Sequence, residues 1–369
     1  WKRILYWKSK VIMKKHNFSA GPCILPNEVL EEASKAIINF NNDNLSLIEI
    51  SHRSTPFVQV MDEAKQLVKE LLAVPDNYSI LFLQGGASLE FLMVPFNLLS
   101  TDGKCAYINT GTWSKKAITE AKNLGETKVI ADSSDKNYSY IPENIATTED
   151  FDYVHLTSNN TIYGTQFKSF PKTDSVLVCD MSSDIFSRKI DISKFGLIYA
   201  GAQKNMGPAG TTLVIVKNDI LGKTGRDIPT MLDYKTHIDK DSMFNTPPVF
   251  SIYVSMLTLR WLKDKGGVEY IEKINDDKSK KLYEEIDRNT LFYGIVKKEN
   301  RSNMNVTFNL YDNNLSKEFD ILCNENGING LKGHRSVGGY RASLYNALPT
   351  KSVEFLIELM KKFEEKNND

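Results

Sequence analysis

The stretch LIYAGAQKNMGPAG, residues 197–210, places one lysine, Lys204, shortly after an apolar run. The run LIYA is typical of a buried strand, and the glycines after it allow a tight turn and the close approach of another molecule. Upstream, the apolar run VLV leads to Cys179 and Asp180. In open α/β sheets, ligands bind at the carboxyl ends of the strands. The sequence therefore predicts that Asp180 and Lys204 lie at a ligand-binding edge.

An aspartate and a lysine in these positions suit pyridoxal phosphate. The ring nitrogen of this cofactor requires a carboxylate partner, and its aldehyde forms a Schiff base with a lysine. The alternative is a solvated lysine in a surface loop and an aspartate that caps a helix, because charged side chains are mostly exposed.

Composition favours a protein that acts on small molecules. The chain has 369 residues, 41% of them hydrophobic and 25% charged, which is typical of a globular protein with two or three domains. Lys plus Arg and Asp plus Glu both number 46, so the charge indicates neither nucleic acid nor a membrane as a partner. The four cysteines and five histidines show no metal-ligand spacing. We expect reduced thiols, no metal and a cytoplasmic location.

Seven short apolar runs predict an α/β fold with a mostly parallel seven-stranded sheet flanked by helices. They are SILFLQ (79–84), CAYIN (105–109), KVIA (128–131), YVHLTS (153–158), SVLVCD (175–180), LIYAG (197–201) and TTLVIV (211–216). Beyond them, helical patterns at 268–287 and 352–365 alternate with strand-like runs, which predicts a smaller α+β C-terminal domain.

This pattern predicts four segments. Residues 1–12 are interpreted as a leader or added extension, with a basic surface helix as the alternative. Residues 13–27 form an arm that joins the small domain, and Asn27 caps the first helix. Residues 28–257 form the large domain, and residues 258–369 form the small domain.

Several loops carry residues suited to a cofactor. The turn Gly85-Gly86-Ala87-Ser88 separates a strand from a helix, so its backbone can hold a phosphate, although a plain strand-to-helix turn also uses glycine. Trp113 lies in a glycine-containing turn, where it either stacks on a cofactor ring or packs on the sheet edge. The polar turn around Thr161 either binds a ligand or only closes the chain.

Two loops carry clustered cations, at residues 51–54 (SHRS) and 333–341 (GHRSVGGYR). The planar fork of arginine matches carboxylate and phosphate, so these loops are candidate anion sites. Solvated turns are the alternative for both. The cations are His52, Arg53, His334, Arg335 and Arg341.

Together these motifs resemble the phosphoserine aminotransferase family, class V enzymes of pyridoxal-phosphate fold type I that act in serine biosynthesis. The resemblance covers nearly all of residues 13–369. It is carried by FSAGP, SHRS, QGGAS, GTWS, NNTIYGTQ, CDMSSD, YAGAQKNMGPAG, FNTPP and GHRSVGGYRASLYNA.

The resemblance implies a role for each candidate residue. Lys204 would form the Schiff base, Asp180 would pair with the ring nitrogen, Trp113 would stack on the ring and Thr161 would contact its O3′ side. The cofactor phosphate would be held by Ala87, Ser88 and Gln203, and by Asn245 and Thr246 of the other subunit of a homodimer. Arg341 would bind the substrate α-carboxylate, and a distal anion would be bound by His52, Arg53, His334 and Arg335. Some relatives carry arginine in place of Ser88, so part of the distal contact is in doubt here.

The implied reaction is a ping-pong transamination between glutamate and 3-phosphohydroxypyruvate. Its products are 2-oxoglutarate and O-phospho-L-serine. Each active site would be shared between subunits, with the His334 and Arg335 loop coming from the partner in the family pattern. Which subunit supplies each distal cation stays open, as does a second role on 4-phosphohydroxythreonine in pyridoxine biosynthesis. The alternatives are another aminotransferase or a desulfurase of the same fold, or a non-catalytic scaffold.

Overall fold

The computed structural model describes residues 15–143, 145 and 149–368, so the predicted leader at residues 1–12 lies outside the described residues. The described strands are β1 (His16–Asn17), β2 (Tyr78–Leu83), β3 (Lys104–Asn109), β4 (Glu126–Asp132), β5 (Tyr153–Thr157), β6 (Val176–Asp180), β7 (Leu197–Gly201), β8 (Thr212–Lys217), β9 (Phe292–Gly294), β10 (Asn305–Leu310), β11 (Ile328–Asn329) and β12 (Tyr340–Ser343). The helices are α1 (Asn27–Ile38), α2 (Thr55–Leu72), α3 (Gly86–Leu98), α4 (Thr112–Lys122), α5 (Tyr234–Asp239), α6 (Val249–Asp264), α7 (Gly267–Arg288), α8 (Ser316–Glu325) and α9 (Thr350–Asn368).

A seven-stranded sheet lies at the centre, in the order β2-β8-β7-β6-β5-β3-β4. Only β8 runs antiparallel to its neighbours, β2 and β7. The other neighbouring strands are parallel. The predicted fold class is confirmed. Because β3, β5, β6 and β7 are parallel, their carboxyl ends meet at one edge, which therefore gathers the loops that follow these strands.

Helices cover both faces of this sheet. Successive residues of a strand point to opposite faces. Val178 and Tyr199 pack with α3 and α4 on one face, whereas Cys179 and Ile198 pack with α1, α2 and α6 on the other. Burial on both sides explains why the central strands appear in the sequence as continuous apolar runs.

A second core lies around the antiparallel sheet β12-β10-β9 and helices α7, α8 and α9. Phe18 and Ile24 of the N-terminal arm belong to this core, and β1 pairs with β11. Along α7, Ile271 packs in the core of the large sheet and Leu282 packs in the second core. The two cores therefore meet along this helix, and the division at residues 257 and 258 stays a prediction.

Two local features differ from the sequence analysis. Pro26 occupies the N-cap position of α1, and Asn27 is the first helical residue rather than the cap. The polar segment 227–248 contains the short helix α5, whose N-cap Asp233 accepts a hydrogen bond from the backbone of Lys235. This cap stabilises a helix too short to show an apolar period. In the part of the chain that the structure describes, no helix is long and apolar enough to cross a membrane.

Candidate active site

Lys204 lies in a tight turn that follows β7. A Cβ atom added at Gly201 would lie 2.8 Å from the Gln203 side-chain oxygen, and one added at Gly207 would collide with Ser255 of α6. Glycine is therefore favoured at position 207, where the turn packs on α6, whereas at position 201 the flexible Gln203 side chain can move away. The turn that carries Lys204 therefore packs closely against Ser255 of α6 through Gly207.

The amine of Lys204 is held on a threonine beside an indole. Its Nζ donates a hydrogen bond to Thr161 Oγ1 at 2.8 Å and lies 5.3 Å from the centroid of the Trp113 ring. Burial lowers the pKa of Lys204 to about 8, while the charge of Asp180 acts in the opposite direction. A much larger fraction of this amine is therefore neutral near pH 8 than for an exposed lysine.

Asp180 is the last residue of β6 and is 4% exposed. Its Oδ1 accepts a hydrogen bond from the backbone N–H of Ser182 at 2.9 Å. Burial raises the pKa of Asp180, and the charge of Lys204 opposes this effect. A cation placed against this carboxylate would therefore be strongly attracted.

Asp184 is a buried acid that the sequence analysis did not single out. It accepts hydrogen bonds from Ser158 Oγ, from Gln166 Nε2 at 3.1 Å and from Arg188 at 3.3 Å. Its charge acts on Lys204, so it adds to the negative potential at the end of β6. The sequence signal for Asp184 is that it is the second acid of the motif CDMSSD.

Arg341, on strand β12 of the second sheet, contacts the same threonine as Lys204. Its guanidinium donates a hydrogen bond to the backbone oxygen of Thr161 at 3.2 Å. Burial lowers the pKa of Arg341, and its Nε is buried without a hydrogen-bond partner in the described chain. Thr161 thus contacts both the lysine and the arginine, which leaves a cation with unused donors beside the amine.

Trp113 is in the first turn of α4, immediately beside these groups. Its Nε1 is buried and has no hydrogen-bond partner among the described residues, and the Nζ of Lys116 lies 4.9 Å from its ring centroid. The indole is partly buried against the core under α3 and α4. A flat cofactor ring can stack on an aromatic surface of this kind.

The N-terminus of α3 is open, and two glycines form the turn that leads into this helix. Gly85 and Gly86 have φ angles of 90° and 66°, and nothing lies within 4 Å of a Cβ added at Gly86. Ala87 is partly buried and Ser88 is exposed. Free backbone N–H groups at the start of a helix suit a phosphate.

The segment predicted to reach a phosphate from the other subunit passes close to this turn. Gln84 Nε2 donates to the backbone oxygen of Thr246 at 2.7 Å, while Asn245 is partly buried. Which subunit's cofactor this segment contacts stays a prediction.

The structure brings the predicted distal cations together only in part. His334 is partly buried, and its Nδ1 lies 2.7 Å from Ser336 Oγ. Burial lowers the pKa of His334, and the charges of Arg341, Arg335 and Lys116 lower it further, so these cations lie near one another within one chain.

The other pair of predicted cations is separate. His52 is 8% exposed with a buried Nε2 that has no partner in the described chain, and Arg53 is exposed. Neither forms a hydrogen bond or ion pair with Lys204, Asp180 or Arg341 in the described parts of this subunit. Their role at a distal anion stays a prediction.

These residues fit pyridoxal phosphate. The site offers an amine with a lowered pKa, a buried acid, an aromatic surface and an open helix start, which match the aldehyde, ring nitrogen, ring and phosphate of that cofactor. Among the described residues, no group of three or more His, Cys, Asp or Glu side chains is arranged to hold a metal ion.

Known proteins resemble this chain over nearly its whole length. The family model "Aminotransferase class-V" matches residues 15–356. A phosphoserine aminotransferase of Flavobacterium psychrophilum is 63% identical over 96% of this chain and 100% of its own length. The structure of a phosphoserine aminotransferase from Bacillus circulans subsp. alkalophilus superposes with a TM-score of 0.93, at 44% identity, over 96% of this chain and 99% of that one.

A second solved phosphoserine aminotransferase superposes with a TM-score of 0.93 at 49% identity, over 96% of this chain and 99% of that one. That structure was described in terms of radiation damage of its Schiff base. The family predicted from the sequence motifs is therefore confirmed. The chain belongs to the phosphoserine aminotransferase family of class V aminotransferases.

Proposed function

We propose that this protein transfers the amino group of L-glutamate to 3-phosphohydroxypyruvate, giving 2-oxoglutarate and O-phospho-L-serine for serine biosynthesis. One observation carries the proposal. Thr161 accepts a hydrogen bond from Lys204 through its hydroxyl and another from Arg341 through its backbone oxygen. A group that moves protons and a group that binds carboxylates therefore lie on the two sides of one residue, as a transaminase of amino acids requires.

The proposed cofactor is pyridoxal phosphate. When bound, it supplies an aldehyde that bonds to amines and a ring that accepts the electron pair released at the substrate Cα. Asp180 would accept a hydrogen bond from the ring nitrogen and keep it protonated. Trp113 would stack on the ring and Thr161 would contact its O3′ side. The phosphate would be held by Ala87, Ser88 and Gln203, and by Asn245 and Thr246 of the partner subunit.

Lys204 would act as the proton carrier. Its pKa of about 8 leaves part of the amine neutral at physiological pH, and a base with a pKa near the working pH transfers protons efficiently. The hydrogen bond to Thr161 orients Nζ at the edge of the site. The amine would accept the proton from the substrate Cα and donate it to C4′ of the cofactor within the same half of the reaction, and it would carry a proton from C4′ to Cα in the other half.

Two anionic ends of the substrate would set its orientation. Arg341 has unused donors for the α-carboxylate, because its Nε is buried without a partner in the described chain. His52, Arg53, His334 and Arg335 would bind the distal anion, which is a carboxylate in glutamate and a phosphate in the phosphorylated 2-oxo acid. One pocket can serve both substrates in turn because several cations tolerate either anion.

We also propose a cytoplasmic homodimer with shared active sites. Residues 30–48 expose four large apolar side chains, and exposed apolar patches mark interaction surfaces. These side chains are Leu30, Ile38, Leu45 and Ile48.

The desulfurase alternative is disfavoured by the cysteines. A desulfurase requires a reactive thiolate, whereas burial raises the pKa of Cys23 to about 12. Cys105, Cys179 and Cys323 are buried. None of the four is therefore a suitable nucleophile.

A spectroscopic titration tests the proposal. The purified protein, loaded with pyridoxal phosphate, should show a visible absorption band that glutamate shifts and that 3-phosphohydroxypyruvate restores, while unphosphorylated pyruvate restores it poorly. Lys204→Ala is the control and should not cycle. A band that glutamate leaves unchanged, or that pyruvate restores equally well, would contradict the assignment.

A further inference from the structure

Lys116 is an exposed residue of α4, about one turn after Trp113, and it has no role in the proposed function. Its Nζ and that of Lys204 lie 4.9 Å and 5.3 Å from the centroid of the same Trp113 ring. Both amines are therefore neighbours of the surface on which the cofactor ring would stack. No sequence motif marks Lys116, because it is one of two adjacent lysines in a helix.

The charge of Lys116 is not compensated by an acid. Lys104 and Lys128 each pair with Glu149 at 2.7 Å, whereas Lys116 is exposed and has no ion-pair partner in the described part of the chain. Its contact with the indole is weak, since an ammonium group that stays exposed to solvent gains little from an aromatic ring. The ammonium group is therefore free to turn toward an anion.

The charge of Lys116 acts on His334 of the predicted anion loop, whereas the charge of its neighbour Lys115 acts on a different group. The charges of Arg341, Arg335 and Lys116 act on His334, so four basic groups converge. Lys115 acts instead on Asp132, at the end of β4. Adjacent residues of a helix point about 100° apart, which explains the difference.

We infer that Lys116 is a specificity-determining residue that binds the phosphate group of the substrate, together with the cations of the 333–341 loop. This inference rests on the proposed function for the identity of the substrate. A phosphate dianion is attracted about twice as strongly as a carboxylate by each added charge. Lys116 therefore favours the phosphorylated 2-oxo acid over glutamate.

The test compares three variants of the holoenzyme with the unmodified protein. In Lys116→Gln, the KM for 3-phosphohydroxypyruvate should rise by about fivefold, the effect of losing one partly exposed charge contact. The KM for glutamate should rise less, and kcat should stay within about twofold. Lys116→Arg should restore the KM, and the matched control Lys115→Gln should leave all constants unchanged.

A binding measurement makes the result independent of turnover. Calorimetric titration of each holoenzyme with inorganic phosphate should show affinity weakened about fivefold in Lys116→Gln alone, and the difference should shrink at high salt. Equal effects in Lys116→Gln and Lys115→Gln, or no effect in either, would overturn the inference. If the unmodified holoenzyme does not transaminate 3-phosphohydroxypyruvate, the proposed function fails, but the phosphate titration still decides the role of Lys116.

Discussion

At the scale of single residues, the site depends on an amine that is placed for chemistry rather than for solvation. We expect Lys204→Ala to keep the fold and to lower kcat by at least about 10,000-fold, the upper range for a positioned proton-transfer group. Steady-state assays and thermal unfolding would measure the two effects separately. Lys204→Arg retains the charge and should be equally inactive, so near-normal turnover in either variant would refute the assignment.

The lowered pKa of Lys204 predicts a pH dependence. In the apoenzyme, the neutral amine reacts with aldehydes, so the rate of cofactor capture should rise with pH and level off above about pH 8. Stopped-flow absorbance after mixing with pyridoxal phosphate would measure this rate. Asp180→Asn removes a negative charge that raises the pKa of Lys204. In this variant the midpoint of the pH dependence of the capture rate should therefore move to lower pH. A midpoint near that of free lysine would show that burial has little effect on this amine.

At the scale of elements, α3 carries a buried acid that links it to α5. Glu90 is fully buried, accepts a hydrogen bond from Tyr234 at 2.5 Å, and has a second carboxyl oxygen without a partner in the described chain. Burial raises the pKa of Glu90 to about 8. The folded protein therefore holds a proton that the unfolded chain releases above its ordinary pKa of 4.5.

This linkage predicts how stability changes with pH. The contribution of the protonated Glu90 is fully present below pH 4.5 and is lost as pH rises to about 8. Glu90→Gln cannot ionise, so it should gain stability relative to the unmodified protein over this window, on the order of 4 kcal/mol. Denaturant unfolding at pH 5 and pH 8 would measure the gain, with the pH 5 difference as the baseline. If the two proteins differ by the same free energy of unfolding at pH 5 and at pH 8, Glu90 does not titrate in this range.

At the scale of the whole molecule, the question is whether one subunit has a complete site. We expect Lys204→Ala subunits mixed with Asn245→Ala/Thr246→Ala subunits to recover up to about half the wild-type activity, because one site per heterodimer would be intact. Lys204→Ala subunits alone should be inactive, and Asn245→Ala/Thr246→Ala subunits alone should be weakly active when no cofactor is added. Verified heterodimers that stay inactive would mean that each chain supplies its own phosphate contacts. The same exchange with His334→Ala/Arg335→Ala subunits would assign the 333–341 loop to one chain.

The sequence alone predicted the sheet and the chemistry of its edge. The central strands were visible because a strand buried on both faces must be apolar throughout, as in β6 and β7. The positions of Lys204 and Asp180 followed from the rule that loops at the carboxyl ends of parallel strands meet. The joint presence of nine motifs then indicated the family.

Only the tertiary structure showed what lies beside these residues. Thr161 joins Lys204 to Arg341, which is far away in the sequence, and Asp184 and Lys116 approach the site from the turn after β6 and from α4. Such contacts cannot be predicted from local pattern, because they join residues distant in the sequence, and the approach of Arg341 also depends on how the two cores pack along α7. The lowered pKa of Lys204 likewise exists only in the fold, since desolvation is produced by residues that the chain brings together from a distance.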